Sequence, residues 1–299
     1  MTRPSQGPAP RSGVRRGLGT LVTSVVASAG AQLAWRGLTA NPPGGAARWT
    51  RTNHRGEPVS LLEGPAVVLG ATAAVLVAPG TPGRVRAAGA VALLGAGAVG
   101  LADDLSGSAA AKGLAGHLGA LRRGEITTGT VKVAGIGATG LVAAALAGGA
   151  LDRQARGGSA PRVGLLDVAL GGALVAGTAN LLNLFDLRPG RAVKVVFALA
   201  PVVSGAGPGA GLRAAATGSG GAVLPVDLGE RAMLGDCGAN ALGALLGTAA
   251  VAGRSRGTRA LLLAGVVALT LASEKVSFTK VIESTAGLRQ LDALGRRPR

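Results

Sequence analysis

Long runs of Ala, Gly, Leu and Val, parted by short segments carrying Arg, Gly and Pro, recur along the whole 299-residue chain. A hydrocarbon layer roughly 30 Å thick asks for about 20 consecutive apolar residues of helix. On that ruler nine spans can be drawn, at 18–35, 62–79, 85–102, 130–150, 163–182, 192–205, 208–225, 238–253 and 258–273. The expected fold is therefore all-α: a polytopic integral membrane protein with about nine transmembrane helices. Residues 1–17 read as a disordered basic N-terminal head, 18–273 as one multi-spanning domain, and 274–299 as a polar, basic C-terminal tail. Aromatic residues make up only 2%, with no Tyr, which is thin for a soluble core of this size. The 52 glycines instead suit helices that approach one another closely in lipid.

The formal net charge is +17, yet the Lys and Arg residues are scattered between apolar runs and no aromatic platform accompanies them. That pattern argues against nucleic acid and favours phospholipid head groups or a phosphorylated substrate. Cys237 is the only cysteine. An internal disulfide and a zinc cluster of thiolates are thus excluded, and the residue reads as a small packing side chain.

Nine spans put the loops after odd-numbered helices on one side: 36–61, 103–129, 183–191, 226–237 and the tail from Glu274. These hold nearly every polar cluster. The first contains Arg55-Gly56-Glu57-Pro58, a tight turn beside cations able to touch phosphate. The second opens on Asp103-Asp104, two adjacent carboxylates ending an apolar run, with Lys112 further on. Carboxylates near hydrocarbon are costly, so a cation should meet them, a divalent metal being the first candidate. In the third, Asn180, Asn183 and Asp186 follow one another at i, i+3 spacing, which places them on one helix face. The fourth, Gly235-Asp236-Cys237-Gly238, precedes a span. Its glycines let backbone approach a ligand, although Asp236 also reads as a helix N-cap.

In this order the motifs resemble those of the polyprenyl-phosphate N-acetylhexosamine-1-phosphate transferases, the glycosyltransferase 4 group that includes the phospho-N-acetylmuramoyl-pentapeptide transferase. The resemblance rests on Gly56-Glu-Pro58 with Gly64, Gly100-Leu-Ala-Asp103-Asp104 with Lys112, Asn180-x-x-Asn183-Leu-x-Asp186 and Gly235-Asp236-x-Gly238, and it covers residues 18–273. It implies a transferase of cell-wall biogenesis in the plasma membrane, its active face cytoplasmic, moving a sugar-1-phosphate from a UDP-sugar to polyprenyl phosphate with release of UMP. By the same resemblance Asp103, Asp104 and Asp186 would be catalytic. Lys112, Asn180, Asn183, Arg55, Gly56 and Pro58 would bind substrate, and Asp236 would hold Mg²⁺, or Mn²⁺ in its place. The implied partners are polyprenyl phosphate, a UDP-sugar and membrane lipids, with a homodimer allowed.

Two positions depart from the family pattern. Pro189 stands where a second Asp is usual, and the His-rich last loop is missing, since the only histidines are His54 and His117. They leave a second reading, a non-catalytic relative that binds polyprenyl phosphate or a lipid-linked precursor in envelope assembly. A transporter with acidic cation ligands fits less well, because the acids gather at one expected surface instead of mid-span.

Overall fold

The computed structural model describes residues 10–106, 128–155 and 163–298. It is all-α apart from one small hairpin. The elements are α1 (Pro10–Ala40), β1 (Thr50–Thr52), β2 (Pro58–Ser60), α2 (Glu63–Val77), α3 (Gly83–Ser106), α4 (Thr128–Ala147), α5 (Ala150–Ala155), α6 (Leu165–Phe185), α7 (Arg191–Val203), α8 (Ala210–Leu228), α9 (Gly235–Gly253), α10 (Arg256–Lys275), α11 (Phe278–Ser284) and α12 (Ala286–Ala293).

Each apolar run read as a span is helical, and the breaks fall where Pro and Gly interrupt the backbone, as at Pro79–Pro82 and Pro189–Gly190. Among the described residues, five helices are long and apolar enough to cross a membrane: Val14–Ala40, Gly83–Ser106, Thr128–Ala155, Leu165–Phe185 and Arg256–Lys275. The expectation of nine transmembrane helices is thus met in part. α2 and α7 have 15 and 13 residues, short of a full span. α8 and α9 have the length, at 19 residues each, but not the hydropathy.

Their weak hydropathy follows from where they sit. α9 is the hub: α2, α3, α4, α6, α7 and α8 all pack on it, and almost every residue from Gly235 to Ala252 is buried. A helix surrounded by protein needs small side chains for close packing more than it needs hydrocarbon affinity. α1 lies outside this ring against α2 and α8, and α10 lies outside against α6. α10 exposes Leu261, Val267, Leu269 and Leu271, the surface that a lipid-facing helix would carry.

Two segments differ from the sequence reading. Helix α1 begins at Pro10, inside the segment read as a disordered head; residues 1–9 lie outside the described residues. The tail is not a plain polar extension, because α11 and α12 fold back onto the start of α7. Arg191 of α7 meets the carboxylate of Asp292 with two parallel bonds, Nε–Oδ1 at 2.7 Å and Nη2–Oδ2 at 3.0 Å. Lys194 donates to the Asp292 carbonyl at 2.7 Å, and Phe278 stacks on Phe185 with ring centroids 5.0 Å apart. Basic composition hid this docking, since the single acid that organises it is surrounded by arginines in sequence.

Burial opposes ionisation of Asp292, but the hydrogen bond and charge of Arg191 outweigh it and hold the carboxyl below its ordinary 3.8. A depressed carboxyl pKa contributes stability that is complete above the unfolded value and is lost as pH falls through the folded one. Hydrogen exchange at 278–293, corrected for its intrinsic pH dependence, should therefore hold constant from pH 7 to about pH 4 and accelerate below that. Release already at pH 5 to 6 would show that Arg191 does not hold the tail.

Candidate functional site

The hairpin pins together the end of the bundle where the odd-numbered loops meet. β1 and β2 pair antiparallel, Arg51 opposite Val59, around a loop in which the Asn53 Oδ1 accepts from the backbone of Arg55 and Glu57 at 2.8 and 2.9 Å. Gly56 takes a positive φ of 82° there, and Pro58 starts β2. Ser60 then bonds across to the chain before α9, accepting from Met233 and donating to Arg231. Trp49, Leu61 and Leu62 form a small buried cluster beneath.

Under this cover α3 brings Asp103, α4 brings Lys132 from its second turn, and α9 brings Asp236 from its first. Lys132 Nζ lies 3.0 Å from Asp103 Oδ2 and pairs on its other side with Asp236 Oδ2. One ammonium thus answers two carboxylates, each about a quarter exposed, and supplies the cation that acids at a helix end require.

Asp104 faces elsewhere. Its Oδ1 accepts from the Asp236 N–H at 3.0 Å and its Oδ2 from the Cys237 N–H at 2.9 Å. A carboxylate from α3 thereby satisfies two of the unpaired N–H groups at the start of α9 and meets the positive end of that helix. Asp104 thereby holds the first turn of α9, from which Asp236 projects, and the N-cap of that helix is Leu234, not Asp236. Arg51 fixes the same corner by donating to the Asp104 carbonyl.

The helices come this close because two side chains are missing. A Cβ on Gly100 would strike the Asp236 carbonyl oxygen. One on Gly235, whose φ is +60°, would lie 2.9 Å from Asp104 Oδ2.

Asp186 lies beside this centre, in a cavity of about 190 Å³ roofed by the hairpin. Burial, with Asp227, Asp236 and Asp104 facing it, pushes its carboxyl well above the ordinary range, against the pull of the Gly235 backbone. Asp186 Oδ2, Asp227 Oδ2 and Glu230 Oε1 are buried without a hydrogen-bond partner among the described residues. Nearby burial and the Arg188 charge lower the pKa of His54. Buried acceptors left open in a cavity are places for donors such as ligand hydroxyls, water or a cation.

The three residues expected on one helix face differ in exposure. Asn180 is exposed, Asn183 is half-buried and Asp186 is buried. Asp186 is the C-cap of α6, at φ −78° and ψ 47°, and its N–H donates to the Asn183 carbonyl at 3.1 Å. Arg55 pairs with Glu230 at 3.0 Å and donates to carbonyls of the tail at Arg297 and Pro298. Lys112 and His117 lie outside the described residues.

Lys132 and the buried acids Asp227 and Glu230 were not among the expected site residues. A lone lysine one turn inside an apolar run is itself a signal, because an ionisable group there demands a partner. Asp227 has no such mark, being one polar residue near a helix end.

Among the described residues no three His, Cys, Asp or Glu side chains stand close enough to hold a metal. Asp103 and Asp236 nevertheless flank a single cation, and Mg²⁺ is commonly held by one or two carboxylates with substrate phosphates completing its shell. A groove of about 450 Å³ between α3 and α4 is walled by Ala98, Val99, Ala102 and Val131 together with Asp103, Ser106, Thr128 and Lys132. Compared with models of known families and with curated proteins, the chain matches none.

Proposed function

We propose that the protein transfers a sugar-1-phosphate from a UDP-sugar to a polyprenyl phosphate, in a multi-pass topology of nine crossings with this end cytoplasmic in the plasma membrane. One observation carries the reading. The largely apolar groove between α3 and α4 carries Asp103 and Lys132 in its wall, and Lys132 also pairs with Asp236, an arrangement suited to a phosphate on a hydrocarbon tail.

In this scheme the tail of the acceptor lies along the groove, and its phosphate reaches Lys132, whose ammonium offsets the negative charge. Asp103 receives the phosphate proton. An acceptor oxygen then forms a bond to the sugar-linked phosphorus of the donor, and the bond from that phosphorus to the bridging oxygen breaks. UMP leaves with that oxygen. Asp103 and Asp236 would hold Mg²⁺, which supplies Lewis-acid stabilisation of phosphoryl oxygens when bound. Asp104 keeps Asp236 in place, and the open acceptors of Asp186, Asp227 and Glu230 face the polar part of the donor. Phosphoryl transfer asks mainly for such positioning and charge neutralisation.

The test is UMP release from a panel of UDP-sugars by membranes containing the protein. Asp103→Asn and Asp236→Asn should each lower the rate by about 10²-fold or more. Variants as active as the parent would remove both residues from the chemistry. A second reading is favoured by Lys132 itself, which neutralises both carboxylates without a metal, and by Pro189: a non-catalytic protein that binds polyprenyl phosphate in envelope assembly. Acceptor binding without UMP release on any donor would select it.

A further inference from the structure

The end of the bundle opposite the acidic centre holds a cavity of about 760 Å³, enclosed by the start of α1, the Pro79–Arg84 turn, α5 and the entry to α8. Arg15, Arg16, Arg84 and Arg153 line it, and among the described residues no carboxylate does. The acids of this end belong to a neighbouring, smaller cavity, where Asp167 already serves Arg256 and Arg259 at 3.5 and 3.4 Å.

Within the larger cavity the neutralising partners are neutral groups. The Gln154 amide, turned with its oxygen toward Arg16, accepts from both guanidinium nitrogens at 3.1 Å. Arg153 donates to the Gly148 carbonyl. Four guanidinium groups gathered without an acid among the described lining residues raise a local positive potential that an anion would relieve, and guanidinium matches phosphate in shape and donor number. The remaining walls are largely apolar, with Pro79, Val85 and Ala150 among them. The cavity also opens where the apolar stretch of α1 begins. An ion in water has no use for those walls, whereas a phosphodiester carrying a glycerol backbone fits both parts.

We propose that this cavity binds the phosphate of an anionic phospholipid head group, as a second lipid site on the face away from the candidate active site. The assignment needs only a membrane protein and does not depend on the transfer chemistry.

The experiment uses the full chain purified in detergent, exchanged into phosphatidylglycerol or phosphatidylcholine, with bound lipid counted by native mass spectrometry. Phosphatidylglycerol should be retained and phosphatidylcholine lost. Arg16→Gln with Arg84→Gln should reduce retention by roughly tenfold or more, each cation near a lipid surface adding about a fivefold preference. A control pair at the other end, Arg36→Gln with Lys275→Gln, should leave retention unchanged, and Arg84→Lys should keep most of it. Equal retention of phosphatidylcholine, or equal loss in the control pair, would overturn the site. Displacement of the lipid by millimolar inorganic phosphate would also overturn it, by making free phosphate the ligand.

Discussion

Lys132→Met should abolish turnover while leaving the protein folded. The ammonium it removes is the only cation bridging Asp103 and Asp236 among the described residues. Methionine keeps much of the length of the side chain, so the groove wall survives. The two carboxylates are about a quarter exposed, so water takes up part of the lost pairing and the stability change should stay near 1 kcal/mol. The rate should fall by about 10² to 10³, the size of effect seen when a charge-stabilising group leaves an active site. UMP release and the thermal midpoint, measured on the same preparation, separate the two. Full activity in Lys132→Met would end the proposal that this ammonium meets the acceptor phosphate.

The second large effect is expected in packing. Gly100→Val would push a branched side chain into the Asp236 carbonyl across the α3–α9 crossing. The neighbour is backbone at the start of the hub helix and has no rotamer to change, so the helices must separate. Overpacking of this kind costs about 1 to 3 kcal/mol, which at about 2 to 4 °C per kcal/mol for a large domain lowers the thermal midpoint by several degrees. Activity should fall further than stability, because the displacement breaks the two bonds from Asp104 to the start of α9. A Gly100→Val protein with an unchanged midpoint would mean that the crossing is looser than its geometry states.

The helices were legible because Pro and Gly punctuate the apolar runs. The run drawn at 258–273 became α10, Arg256–Lys275, and that drawn at 192–205 became α7, Arg191–Val203. Hydropathy could report helices but not which of them face lipid, since α9 is sheltered by its neighbours. The acids Asp103 and Asp236 were legible as expensive groups in an apolar setting. Their partner was not, because the sequence separation between Lys132 and Asp236 is 104 residues and nothing local links them. The contacts of Asp104 were hidden for a similar reason: its carboxylate accepts from the N–H of Asp236, 132 residues later in the chain.

The burial of α9 bears on how such a chain enters a bilayer. Its residues are mostly Gly and Ala, with Asp236 and Asn240 near its start, and the Asn240 amide is fully buried without a hydrogen-bond partner among the described residues. Such a segment gains little from hydrocarbon by itself. α3 and α6, which flank it and precede it in the chain, are apolar enough to insert unaided. Biogenesis would then run from the rim inward, with the hub threaded after α3 and α6 into a socket that these neighbours have already built.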